Sequence, residues 1–152
     1  MMNKEFKTEV INTIKQKLSD KEKGLAEAIK MVQDSSNNNS KSTAGDKHDT
    51  ERAMAQLEIE KLQKQYAVLI EDIKQFNKSE KGGLSETVSL GSLVQLNHMF
   101  LFISCGLGKI DVDNKTVFSV SLEAPIAKQI IGKKIGDEIL INNVKNKIIS
   151  ID

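Results

Sequence analysis

The sequence predicts an α+β protein: an antiparallel two-helix coiled-coil hairpin, then a small, mainly antiparallel β domain with one short helix. Three observations carry this. Two N-terminal segments repeat apolar residues in steps of three and four, the spacing of one helix face. A run of Asn and Ser separates them. After Gly82-Gly83 the pattern becomes short, alternating or continuous apolar runs bounded by turn residues.

The first helix is expected over about residues 3–34. Ile11, Ile14, Leu18, Leu25, Ala28 and Val32 form a seam in steps of three, four and seven, with Lys21 as its polar interruption. Gly24 is a small local penalty. The helix should stop near Asp34, because the Ser and Asn residues that follow compete for the backbone with their own side chains. Residues 35–46 are then a tip loop.

The second helix, about 47–77, has the cleaner stripe: Ala55, Ile59, Leu62, Tyr66, Leu69, Ile73 and Phe76. Lys61, Lys64, Glu71 and Lys74 fall outside it. Most helical stability in proteins comes from packing an amphipathic face, so two attached stripes are expected to bury one another. Residues 1–78 therefore form the hairpin.

Ser79-Glu80-Lys81-Gly82-Gly83 is a short linker or hinge, and residues 84–152 make up the β domain. Strands are expected in Thr87–Leu96, Met99–Ser104, Thr116–Ser121, Glu138–Ile141 and Lys147–Ile151, with a helix over about Ala124–Ile131. Pro125 suits the first turn of that helix and Gly132 lies just past its end. Phe100, Phe102 and Phe118 are expected in the core, as is Cys105. Gly106-Leu107-Gly108-Lys109 lacks the spacing of a nucleotide-binding fingerprint.

Composition excludes several functions. The net charge is +1 and neither half is strongly basic, so independent DNA binding through bulk electrostatics is not expected. A single cysteine rules out a disulfide framework and a cysteine-based zinc site. The longest apolar run, Met99–Ile103, is too short to span a bilayer, and the charged N-terminus has no signal core. A cytoplasmic monomer is expected.

Chemistry is concentrated at Gly45-Asp46-Lys47-His48-Asp49. In one reading Asp46 caps the second helix and Asp49, at N3, completes a capping box. In another, two carboxylates three residues apart share a helix face and jointly approach a divalent cation. Magnesium takes about six oxygens, so two side chains share a cation held elsewhere and do not enclose one. Glu51 is a third acid nearby that could orient the pair or favour the helix start.

The tip resembles that of the bacterial Gre transcript-cleavage factors, which read Gly-Asp, two residues, then an acid. Here the second acid is Asp49, where the family usually has Glu, and Lys47-His48 replaces Leu-Ser. The C-terminal part is similar to the same family through Val88-x-x-Gly91-Ser92-x-Val94-x-Leu96. So is the block from Ser121 and Pro125-Ile126-Ala127-Lys128 to Ile131-Gly132-Lys133-Lys134-x-Gly136-Asp137, and Ile110-Asp111 falls where the family has a strand and turn.

The resemblance implies an FKBP-like β domain, with no isomerase activity, that docks on RNA polymerase at its secondary channel. Ser121, Pro125, Ile126, Gly132, Lys133, Gly136 and Asp137 are the docking residues it suggests. It further implies that Asp46 and Asp49, with Glu51 in support, reach the magnesium that polymerase holds and stimulate cleavage of backtracked transcript RNA. The protein would bind no cofactor and catalyse nothing alone. A family regulator or inhibitor of polymerase without cleavage activity, and an adaptor unrelated to transcription, are the alternatives.

Overall fold

The computed structural model describes residues 4–39 and 45–152, with side chains described for 4–35 and 49–152. Helix α1 spans Lys4–Asn39 and helix α2 spans Gly45–Ser79. They pack together and are followed by a mostly antiparallel sheet with one short helix. The fold class is the one the periodicity implies.

Both helices differ from expectation at their ends. α1 continues past Asp34 to Asn39, and α2 begins at Gly45, two residues early. Residues 40–44 of the expected tip loop lie outside the described residues. Ser and Asn cost a helix only about 0.5 kcal/mol each relative to Ala, whereas an established helix gains a hydrogen bond with every added residue.

The chain divides into two compact units, and the division runs through the helices, away from residues 79–83. One unit is Lys17–Glu71; the other combines Met1–Gln16 with Asp72–Asp152.

In the helical unit, Leu18, Ile59, Leu62 and Leu69 are buried, while Leu25, Ala28, Val32, Ala55 and Tyr66 are half-buried. The Tyr66 hydroxyl donates to Glu22 Oε1 across the helix pair at 3.1 Å. This bond and the neighbouring carboxylate raise the phenol pKa. Tyr66 is the chain's one tyrosine and there is no tryptophan, so its ionisation can be followed directly by absorbance. Its midpoint should lie above that of free tyrosine, about 10, and Glu22→Gln should move it down. The contribution of the bond to stability is complete below the unfolded pKa and fades as pH rises through the raised folded value.

In the other unit, five strands lie in the order β3-β4-β2-β1-β7: β1 Leu93–Gln95, β2 Phe100–Ile103, β3 Gly108–Val112, β4 Lys115–Val120 and β7 Ser150–Ile151. All neighbours are antiparallel except β2 and β4. β5 Glu138–Ile141 and β6 Val144–Lys147 form a separate hairpin, and helix α3 spans Pro125–Ile130.

Every residue of β2 is buried, as a continuous apolar run requires of a strand covered on both faces. Leu101 and Ile103 pack with Ala127 and Ile130 of α3, together with Val88, Val94, Leu96, Ile139 and Ile148. Phe100 points the other way, its ring 4.8 Å from that of Phe6 on α1. The Lys115 ammonium caps the pair, 4.6 Å from the Phe6 centroid. The first turns of α1 bury Phe6, Val10 and Ile14, and the end of α2 buries Phe76. Val10, not the expected Ile11, takes the buried position, because the steps from Phe6 to Leu18 are all four residues.

Ser79–Gly83 is a packed junction, not a hinge. The Ser79 hydroxyl donates to the Phe76 carbonyl and shares a 2.7 Å hydrogen bond with the Ser104 hydroxyl, all buried. A side chain on Gly82 would strike the carbonyl of Leu90, and one on Gly83 would strike that of Gly91. Nearby, the half-buried Lys7 ammonium donates to the main-chain oxygen of Asp152 at 3.0 Å. Burial pushes the Lys7 pKa down, and the charge of Asp152 opposes the shift.

Two strand expectations need correction. Residues 87–92 are not strand: Gly91 takes φ +91°, and Ser89–Ser92 forms a turn bonded through the Ser92 hydroxyl. The expected closing strand is broken, since Ile148 bonds to Asp137 and Gly136 while Ile149 bonds to Gln95, so the chain changes sheets there. Residues 144–147 instead extend a hairpin through Asn142-Asn143, both at positive φ. Asp113-Asn114 makes the same kind of turn between β3 and β4.

Candidate functional site

The backbone of α2 starts at Gly45, so Asp46 lies inside the helix and is not its N-cap. Positions 46 and 49 then stand one turn apart on a common face of the helix backbone. Asp49 and Glu51 are exposed, and the side chains of Asp46 and His48 lie outside the described residues. At about 100° per residue, Glu51 projects roughly 200° round from Asp49 and does not join its face. Two carboxylates on one helix face can add oxygens to a cation already held by other ligands, but they fall well short of the roughly six that magnesium requires.

The segment from Ser121 to Asp137 owes most of its pattern to folding. The Ser121 carbonyl accepts the Ala124 N–H at 3.1 Å, and Pro125 occupies the first turn of α3. Ile126 packs against the core. Gly132 N–H donates to the Val88 carbonyl at 2.8 Å, and Val88 N–H returns a 2.9 Å bond to Lys133. Gly136 N–H bonds the Ile148 carbonyl, whereas Asp137 Oδ2 accepts the Lys134 N–H at 2.8 Å and so fixes the turn. Pro125, Gly132, Gly136 and Asp137 remain exposed; Ser121, Ile126 and Lys133 are half-buried.

An apolar surface that the sequence pattern does not announce lies beside this block. Leu84 is 94% exposed and Ile135 is 61% exposed. With Ile151, Ser85, Glu86 and Lys134 they line an open cleft of about 370 Å³. One scattered exposed aliphatic residue is ordinary, but two on neighbouring loops around one cleft form a patch. The available signal was a large apolar residue inside each of two turn-rich stretches, Gly82-Gly83-Leu84 and Lys134-Ile135-Gly136.

Cys105 is fully buried beside Ser104 and Ser119, and burial pushes its thiol pKa up. That environment suits a core residue, not a nucleophile. Among the described residues no helix is long and apolar enough to cross a membrane. In comparisons with known proteins, no family model, no curated protein and no solved structure matches this chain.

Proposed function

We propose that this chain is a Gre-like elongation regulator that binds bacterial RNA polymerase through its β domain. In this reading its helical hairpin presents Asp46 and Asp49 to the catalytic magnesium held by polymerase. The observation that carries the reading is the pairing of positions 46 and 49 on one face at the very start of a long helix. The exposed apolar cleft beside the Ser121–Asp137 block supports a docking role for the β domain. The magnesium held by polymerase would supply a bound water of lowered pKa as the nucleophile for phosphodiester cleavage. The contribution of the chain is to position carboxylates, which makes it an accessory factor and not a nuclease.

Core polymerase should capture the full chain, and the chain should accelerate RNA cleavage in backtracked complexes. Asp46→Ala together with Asp49→Ala should leave capture intact and reduce stimulated cleavage by about 100-fold or more. Stimulation that survives the double substitution would refute the role of the acids. Failure of polymerase to retain the chain would remove the entire reading. Capture without any stimulation by the parent chain would place it among non-cleaving regulators.

A further inference from the structure

β3 is an outer strand of the five-stranded sheet, and at five residues it is the longest strand with an open edge among the described residues. Its partner side is fixed by the β3–β4 hairpin. Val112 and Lys115 close the two-residue turn Asp113-Asn114, so they form a hydrogen-bonded pair. Pairs alternate, which makes Ile110↔Val117 bonded as well and turns the N–H and C=O groups of Lys109 and Asp111 outward. The next strand agrees: the Val120 carbonyl accepts the Ser104 N–H at 2.8 Å, so even-numbered residues of β4 face β2 and odd-numbered ones face β3.

The outward edge is self-complementary. Lys109 and Asp111 are exposed, carry opposite charges and flank the buried Ile110 symmetrically. Nothing lies within 4 Å of where a side chain on Gly108 would stand, so the sheet face at that end is open. We infer that the β3 edge pairs antiparallel with the same edge of a second copy of this chain, about a two-fold axis at Ile110. Lys109 of each copy then meets Asp111 of the other at hydrogen-bonded positions, which joins backbone to backbone and ammonium to carboxylate on both sides of the axis. Centring the pairing on Lys109 or Asp111 would oppose like charges, so charge selects a single register. The other outer strand of this sheet, β7, has only two residues and offers no comparable template.

Each new backbone bond replaces bonds to water, and exposed ion pairs add little. The association is therefore weak, reversible and sensitive to salt. It does not depend on polymerase binding. Sedimentation equilibrium of the full chain, up to about 1 mM and at low and high salt, should show a monomer–dimer equilibrium that weakens with salt. Lys109→Asp and Asp111→Lys should each weaken self-association about tenfold or more. Mixing these two variants should restore association, and combining both changes in one chain should restore it too. Both positions are exposed, so circular dichroism and melting should be unchanged. A parent chain that stays monomeric throughout, or single reversals that leave its association unaltered, would overturn the inference.

Discussion

Gly91→Ala is expected to destabilise the β-containing unit by about 2–4 kcal/mol. Two causes add. The residue adopts φ +91°, a conformation that L side chains rarely enter. A methyl group there would also strike the Ser79 carbonyl and come within 2.7 Å of the Gly82 carbonyl carbon. Neither obstacle is the tip of a flexible side chain, so relief requires the end of α2 and the 82–83 segment to move together. That motion would strain the buried Ser79–Ser104 hydrogen bond and the 2.7 Å bond from Gly91 N–H to the Ile103 carbonyl. Gly24→Ala supplies the contrast. Gly24 lies within α1 with nothing within 4 Å of an added Cβ, and alanine there should stabilise by about 0.5–1 kcal/mol. Urea denaturation followed by circular dichroism reads both signs. A Gly91→Ala protein as stable as the parent would mean that residues 79–83 and 90–91 are not tightly packed.

The hairpin seam was legible because only a helix needs apolar residues in steps of three and four. Ile59, Leu62, Leu69 and Phe76 are buried as the second stripe requires. The junction was not legible, because two glycines in a polar stretch carry the same composition whether they flex or fit against a backbone. Only the approach of Leu90 and Gly91 distinguishes a close fit from a hinge. Strand β3 illustrates another limit. Gly108–Val112 has just two buried positions, and outside the family resemblance its signal was the Asp113-Asn114 turn, which the reading passed over. The hairpin through Asn142-Asn143 was missed for the same reason, since Asn tolerates positive φ without the glycine that usually advertises such a turn.

The candidate site was legible in part. The spacing of Asp46 and Asp49 puts these two positions on one helix face whether the helix begins at Gly45 or Lys47. The capping reading of Asp46 does not survive the revised helix start, because it needs that residue outside the helix. In the Ser121–Asp137 block, the sequence pattern located residues that close turns and tie α3 to Val88 and Ile148. It did not reveal Leu84 and Ile135, whose exposure depends on which side of a loop faces water.

Phe102→Ala is expected to be the most damaging single truncation in the core, at about 3–5 kcal/mol. Phe102 is wholly buried on β2, the middle strand of the sheet, opposite Leu93 of β1 and Ser119 of β4. It shares a face with Phe100, which meets Phe6 of α1, so the cavity would open between the sheet and the covering helix ends. Ladder hydrogen bonds on both sides of β2 resist collapse into that space. Phe102→Leu, which keeps most of the volume, should cost under about 1.5 kcal/mol. The ratio of the two losses in chemical denaturation is therefore diagnostic. If alanine costs little more than leucine, the helix ends do not seal this face.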